Sequence, residues 1–389
     1  MKKIIIVFEY GSLNGGAAKI AIQTAMGLAG LGYDVTYFCA CGPIDKELQS
    51  KISRVLCLNQ YDIASNPSRL QAILQGIWNK KAYKSLNALL DTYQNDDVVV
   101  HIHGYSHILS ASIIKACMKH HIKPVITLHE YFSVCPNGGF YNYPQQQICE
   151  RNPMSMKCIF CNCDSRSFPQ KCYRVLRQFV QNKYIRNNPN IRYLYISEFS
   201  FLKMKKYLKS TDFHYVHNPV ETFSIRGNPY ADVFVFIGRL SPEKGIDLFC
   251  KAICDLKLKG IVIGDGPLKS TLQNTYSSIE FLGWKTRTEI EEILSNAKCL
   301  IFPPKWYETD GLVVQECLSA GIPCIVPDNC AASDYITHGE NGYLFKSGNI
   351  VDLKEKIADF NLPICQPSKN VSLEDYIKNL ILVLGLESM

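Results

Sequence analysis

Residues 307–327 read YETDGLVVQECLSAGIPCIVP. Just before them stands the apolar run Cys299-Leu300-Ile301-Phe302, broken by Pro303-Pro304. An apolar run, a proline break and then a helical pattern predict strand, loop and helix. Glu308 and Glu316 stand eight positions apart, with Asp310-Gly311-Leu312 between them. The first acid is expected in the loop and the second about a turn into the helix, so both can point at one ligand. In open parallel sheets ligands sit at this strand-to-helix edge. A helix start also offers free backbone N–H groups and the positive end of a dipole, which suit a phosphate. Two carboxylates beside an anion site fit a ligand that carries hydroxyls and phosphates together, as a nucleotide sugar does.

Upstream, Phe236–Gly245 reads FIGRLSPEKG. A strand delivers Gly238 and Arg239, and Lys244 follows five residues later, where Pro242 and Gly245 frame a helix start. A guanidinium fork and a lysine point charge at a strand end make a pyrophosphate clamp; the bland alternative pairs both with surface carboxylates. Ile261–Leu268, IVIGDGPL, repeats the strand and turn, and Gly264 and Gly266 either border the nucleotide or simply make a tight turn. At Ile279–Lys285, IEFLGWK, backbone near Gly283–Lys285 is placed to read a base edge; Trp284 is either part of that edge or core.

The first third alternates strand and helix: strands at Lys3–Phe8, Asp34–Cys41, Asp97–Ile102 and Pro124–Leu128, helices at Ala17–Leu31 and Ile108–His120. After a strand at Tyr193–Ile196 and a polar linker at Glu221–Tyr230 containing Gly227 and Pro229, the rhythm restarts at Val233 and runs to Val326. This is the pattern of parallel sheets, and its repetition predicts an α/β chain of two Rossmann-like domains facing each other across a cleft. The expected division is 1–220, 221–365 and a tail 366–389, whose helix Leu373–Leu384 packs back on the first domain. Gly15-Gly16 before the first helix allows close backbone approach to a ligand, though the spacing is not that of a dinucleotide fingerprint. His129-Glu130 follows a strand at the ligand edge, and His103 closes another, on the same side as His101.

The 389 residues are 47% apolar and 20% charged, an ordinary globular composition. No run nears the roughly 18 apolar residues of a membrane span, and MKKIIIVFEYGS reads as a first strand, so a cytoplasmic protein is expected. Net charge is +7, unevenly placed. Between Arg166 and Lys209 eleven bases face one acid, Glu198, with aromatic and aliphatic residues interleaved from Tyr173 to Tyr184. This is either a basic helix that meets an anionic membrane surface or a lipid diphosphate, or a solvated face. No nucleic-acid partner is expected. Seventeen cysteines without a leader argue against a disulfide framework. Cys149, Cys158, Cys161 and Cys172, in the Cys-rich loop 135–172, are candidate ligands of a structural zinc, with reduced structural thiols as the alternative.

Taken together these residues resemble the retaining GT-B glycosyltransferases of family 4, of the bacterial surface-polysaccharide type. FIGRLSPEKG is similar to that family's diphosphate segment, Glu308…Glu316 to its EX7E motif, and GIPCIVPD and GENGYLF to its usual continuation; VITLHEYFSVCP resembles its N-domain histidine segment, with Glu130 where Asp is commoner. The resemblance implies a nucleoside-diphosphate sugar as donor, no metal or other cofactor required for catalysis, and a glycan or polyprenyl-diphosphate-linked acceptor. It implies that Arg239 and Lys244 neutralise the leaving diphosphate, that Glu316 holds the ribose, and that Glu308 with the backbone of Asp310, Gly311 and Leu312 holds the sugar. His129 would meet the sugar near the reaction centre; Gly15 and Gly16 would border phosphate and acceptor. Two other readings fit such a chain: a nucleotide-sugar epimerase of the same fold, which needs no acceptor, and a non-catalytic sugar-nucleotide-binding subunit.

Overall fold

The computed structural model describes residues 2–63, 65–93, 98–225, 228 and 231–387. Asp97 of a predicted strand and Gly227 and Pro229 of the predicted linker lie outside them. The chain forms two compact units, one of residues 1–139, 151–219 and 371–389, the other of residues 140–150 and 220–370.

The N-terminal unit is built on β1 (Lys3–Tyr10), β2 (Asp34–Cys41), β3 (Arg54–Cys57), β4 (Val98–Ile102) and β5 (Val125–Leu128). A short hairpin, β6 (Tyr141–Asn142) and β7 (Gln147–Ile148), belongs to the other unit; β8 (Arg192–Tyr195) and β9 (Phe213–Tyr215) complete the first sheet. Its seven strands are parallel, in the order β3-β2-β1-β4-β5-β8-β9. The run Ile4–Phe8 is continuously buried, as expected of a central parallel strand covered on both faces. The chain runs outward from β1 in one direction and from β4 in the other, so these neighbours define a topological switch point.

The predicted helix 108–120 is shorter, Ser112–Lys119. Glu9, at the end of β1, is the physical reason: its Oε1 accepts from the backbone N–H groups of His107, Ile108 and Leu109 at 2.7, 2.5 and 3.4 Å. Those donors are held in a loop instead of a helical turn. The tail helix Leu373–Leu384 buries Tyr376, Ile377, Leu380 and Leu384 against the helix Gly16–Gly30, where Tyr376 and Thr24 share a hydrogen bond of 2.8 Å. Ile377 lies over Gly27, where a Cβ would stand 2.8 Å from its side chain. Each buried apolar side chain of this kind is worth about 2 kcal/mol.

The basic helix exists, Phe168–Tyr184, but of its four cations only Lys183 is exposed and the other three turn inward. Lys171 and Arg177 are buried, and Arg174 pairs with Asp164 at 2.7 Å. Arg177 stands 4.9 Å over the Phe132 ring and donates to the Pro136 carbonyl. It is Leu176 and Phe179, the latter 72% exposed, that face out. Positional spacing gave the amphipathic pattern correctly but not its direction: a polar core of Asp164, Asn137 and backbone carbonyls claims the charged side.

The C-terminal unit carries β10 (Val233–Ile237), β11 (Lys259–Ile263), β12 (Glu280–Gly283), β13 (Ala297–Ile301), β14 (Cys324–Pro327) and β15 (Gly342–Phe345). All six are parallel, in the order β12-β11-β10-β13-β14-β15. Its switch point falls between β10 and β13, the two strands whose carboxyl ends lead into FIGRLSPEKG and into the Glu308 loop.

Candidate functional site

Three loops at the carboxyl edge of the C-terminal sheet are laced by backbone. Gly238 N–H donates to the Ile263 carbonyl at 3.0 Å, Leu240 N–H to Asp265 at 2.9 Å, and Gly264 N–H to Gly283 at 2.8 Å. The approach is so close that a Cβ on Gly264 would stand 1.9 Å from the Gly238 oxygen, and one on Gly266 2.5 Å from the Leu240 oxygen. The GDG turn therefore serves first to join the ends of β10 and β11. Across the switch point Gly245, at φ +69°, takes the Pro303 carbonyl against its α-carbon, where a Cβ would meet that oxygen at 1.8 Å. This contact brings the residue before it, Lys244, to the loop that carries Glu308.

Lys244 Nζ donates to Glu308 Oε2 at 2.5 Å, and Trp306 Nε1 donates to the same oxygen at 3.1 Å. The ammonium also lies 4.9 Å from the Trp306 ring centroid. Arg239 is exposed, and among the described residues no hydrogen bond or ion pair engages its guanidinium. The edge thus presents one fixed cation in contact with an acid and a second cation available to an anion.

Asp310 is buried and accepts from Gln315 Nε2 at 2.9 Å and from the Tyr335 hydroxyl at 3.2 Å. Gly311, at φ +89°, precedes the helix Leu312–Ser319 without a side-chain cap. The first N–H groups of that helix therefore have no capping side chain, as an anion-binding helix start requires. Glu316 lies in the helix with Oε1 3.5 Å from Arg287. Arg287 also pairs with Glu221 at 3.1 Å and stacks over Phe223 at 4.5 Å. Arg287 and Trp306 went unmarked in the sequence; the signals were there, a WYE triplet and an arginine inside a Thr-x-x-Glu capping box. Trp284 is 75% exposed at the end of β12, which settles the open question against core.

In the N-terminal unit, His103 Nδ1 and His129 Nε2 lie 3.0 Å apart, and the His101 and His103 rings 4.1 Å apart. Burial lowers all three, His129 to about 4 and His101 to about 3, so each is neutral in the fold at pH 7. Gly15 caps the first helix at φ +92° with open space where a Cβ would point, and Gly16 opens that helix. Glu9 was missed, although an acid inside IIIVFEY breaks an apolar run. Burial pushes its carboxyl up to about 7, against the pull of three backbone N–H donors. The fold thus holds a proton that the unfolded chain releases near 4.5. Glu9's contribution is full below about pH 4.5 and is lost as pH rises through 7. Glu9→Gln keeps an oxygen for the three donors; its melting temperature is expected to match the wild type at pH 4.5 and exceed it at pH 8, by up to about 3 kcal/mol in stability.

The four predicted zinc ligands are not gathered into a site. Among the described residues no group of three or more His, Cys, Asp or Glu is arranged to hold a metal. Cys149 belongs to the C-terminal unit and Cys158, Cys161 and Cys172 to the other, while Cys172 is exposed and Cys158 buried. The physical reason is Lys171, whose ammonium occupies the space beside Cys158 and Cys163 that a cation would need.

Residues 222–362 match the family model described as Glycosyl transferases group 1. An uncharacterized glycosyltransferase of Methanocaldococcus jannaschii is 32% identical over 130 residues, 32% of this chain and 37% of that protein. The match thus spans little more than a third of that relative. A 42.6 kDa protein from the cps region of Klebsiella pneumoniae is 25% identical over 272 residues, 66% of this chain and 64% of that one. Among solved structures, Anabaena HepE in complex with UDP and glucose superposes with TM-score 0.68 at 14% identity, covering 100% of both chains. The chain has the GT-B fold, and residues 222–362 of its C-terminal unit are similar to the group 1 glycosyltransferases.

Proposed function

We propose that the protein is a retaining family 4 glycosyltransferase that moves a sugar from a nucleoside-diphosphate donor to a glycan or lipid-linked glycan in polysaccharide assembly. The observation that carries this reading is the Lys244–Glu308 contact beside the unengaged Arg239, at the switch point of a group 1 domain. In the proposed reaction the bond from the anomeric carbon to the diphosphate oxygen breaks and the acceptor hydroxyl bonds to that carbon on the same face. The departing phosphate oxygen takes the hydroxyl proton. Negative charge grows on the diphosphate as it leaves, so Arg239 and Lys244 act most strongly in the transition state. Glu308 orients sugar hydroxyls, Glu316, held by Arg287, takes the ribose, and the first N–H groups after Gly311 meet the sugar or phosphate. Gly238 and Gly264–Gly266 border the nucleotide; His129 meets the sugar, and His103 lies on the acceptor side.

Kinship to a cps-region protein supports a capsule-type product. A lipid-linked acceptor and peripheral binding at the inner membrane face are supported by a groove of about 880 Å³ lined by Tyr195, Phe201, Leu202, Lys205, Lys206 and Lys209. No helix among the described residues is long and apolar enough to cross a membrane. Product analysis with a panel of uridine and guanosine diphospho-sugars, with and without acceptor, tests the reading. Acceptor-dependent release of the nucleoside diphosphate supports it; donor interconversion without acceptor contradicts it.

Trp284 offers its ring face to the nucleobase. Trp284→Ala is expected to raise the donor KM about tenfold, the scale of one base–aromatic stack, with kcat nearly kept. Steady-state kinetics at saturating acceptor check this, and an unchanged KM would remove Trp284 from the site.

A further inference from the structure

Lys171 is fully buried, more so than any other Lys or Arg among the described residues. Of the other deeply set cations, Arg174 has Asp164 and Lys305 has Asp247, while Arg177 has the Pro136 carbonyl and the Phe132 ring face. Among the described residues Lys171 has none. Its Nζ ends 3.3 Å from Cys163 Sγ and 3.7 Å from Cys158 Sγ, and Cys135 is near enough to act on its charge. Both thiols are buried as well. An ammonium sealed from water with only sulfur acceptors is costly, and nothing in the transfer reaction uses it. Burial pushes the Cys163 thiol up to about 12. Burial pulls the Lys171 ammonium down, but the sulfurs of Cys163 and Cys158 outweigh it and hold the group above its ordinary value. Both groups are therefore protonated at rest.

We propose that Lys171 and Cys163 are a modification site, joined by peroxide into a covalent nitrogen–oxygen–sulfur bridge. At 3.3 Å the two atoms are in contact, and a small approach along the flexible lysine stem brings them to the separation that one bridging oxygen atom spans. In the first step the Cys163 sulfur attacks one hydrogen peroxide, whose O–O bond breaks, giving a sulfenic acid and water. A second peroxide oxidises the Lys171 amine to a hydroxylamine and water. The hydroxylamine oxygen then bonds to sulfur, and the sulfenic hydroxyl leaves as a third water. One amine, one thiol and two peroxides become one bridge and three waters, a four-electron oxidation of the pair matched by two electrons into each peroxide. The bridge ties the Cys-rich loop to the helix Phe168–Tyr184, which also carries Arg174 and Arg177.

The test exposes the reduced, folded protein to hydrogen peroxide at pH 7 and pH 9, blocks remaining thiols and maps the digest by mass spectrometry. The expected product is a peptide pair joining Lys171 to Cys163, heavier by one oxygen and lighter by two hydrogens. More of it forms at pH 9, since both resting protons must leave. Excess dithiothreitol returns the amine, the thiol and one water. Lys171→Arg keeps a positive charge and is expected to abolish the pair; Cys158→Ser keeps both partners and is expected to retain it. Circular dichroism of the reduced variants checks their fold, and if Lys171→Arg does not fold, the wild-type and Cys158→Ser maps decide alone. A Cys158–Cys163 disulfide as the main wild-type product, or only sulfinic and sulfonic acids at Cys163, would overturn the assignment.

Discussion

Lys244→Ala and Arg239→Ala are each expected to lower kcat by about 100-fold or more, the cost of losing one preorganised donor to a developing charge. Lys244 does not reach its position by chance: Gly245 receives the Pro303 carbonyl and so fixes the end of one loop on another. Its Nζ lies 2.5 Å from Glu308, and in the proposed reaction a diphosphate that draws on the same ammonium is poised beside the acid assigned to the sugar. Truncating Lys244 removes that charge and leaves the buried Glu308 carboxylate with the Trp306 N–H at 3.1 Å, so sugar orientation suffers too. Arg239→Ala removes a cation that no described residue engages, so its loss costs the fold little and turnover much. The loss should appear in kcat more than in the donor KM, because the leaving group's charge is greatest in the transition state. Initial rates with saturating donor measure it; near wild-type rates in both variants would overturn the clamp.

Gly264→Ala is expected to destabilise the C-terminal unit by about 3 kcal/mol or more, in the range of severe backbone strain and core disruption. Gly264 has φ +133°, and an added Cβ would stand 1.9 Å from the Gly238 oxygen and 2.9 Å from its carbonyl carbon. Those atoms are main chain, so no rotamer relieves the clash. The ends of β10 and β11 must part, which breaks the Gly238–Ile263 hydrogen bond and moves Arg239. Gly339→Ala is the control: φ is +85° with nothing within 4 Å of the added carbon, so only the left-handed cost of about 1–2 kcal/mol applies. Denaturant melts of both variants separate the two causes. Equal losses would mean that close approach of the loops is not what the glycine serves.

The C-terminal sheet was legible because its strands are short apolar runs, each followed by a glycine or proline break and a helix start. The pairing of Glu308 with Lys244 was not, since the two are 64 positions apart and their loops are joined by tertiary contacts, Gly245 against the Pro303 carbonyl and the Lys305 N–H donating to the Glu243 carbonyl. Arg287 was hidden for a related reason: it reads locally as part of a helix cap, while its work is to hold Glu316 from another helix. The basic helix shows the limit of spacing alone. The same pattern serves a cationic face turned to solvent or turned to a polar core, and Asp164 and Asn137 decide between them. The cysteines mislead in the same way, because a motif of thiols does not reveal that a lysine sits among them.

The most direct test of the account is thermal unfolding of the wild type and of the Arg239→Ala/Lys244→Ala double variant, each with and without uridine or guanosine diphosphate. A nucleoside diphosphate that binds only the folded state adds about 2.7 kcal/mol at a hundredfold excess over its Kd. The account predicts a raised melting temperature for the wild type with at least one of the two nucleotides, and little or no rise for the double variant. An undiminished rise in the double variant, or none in the wild type with either nucleotide, would contradict it.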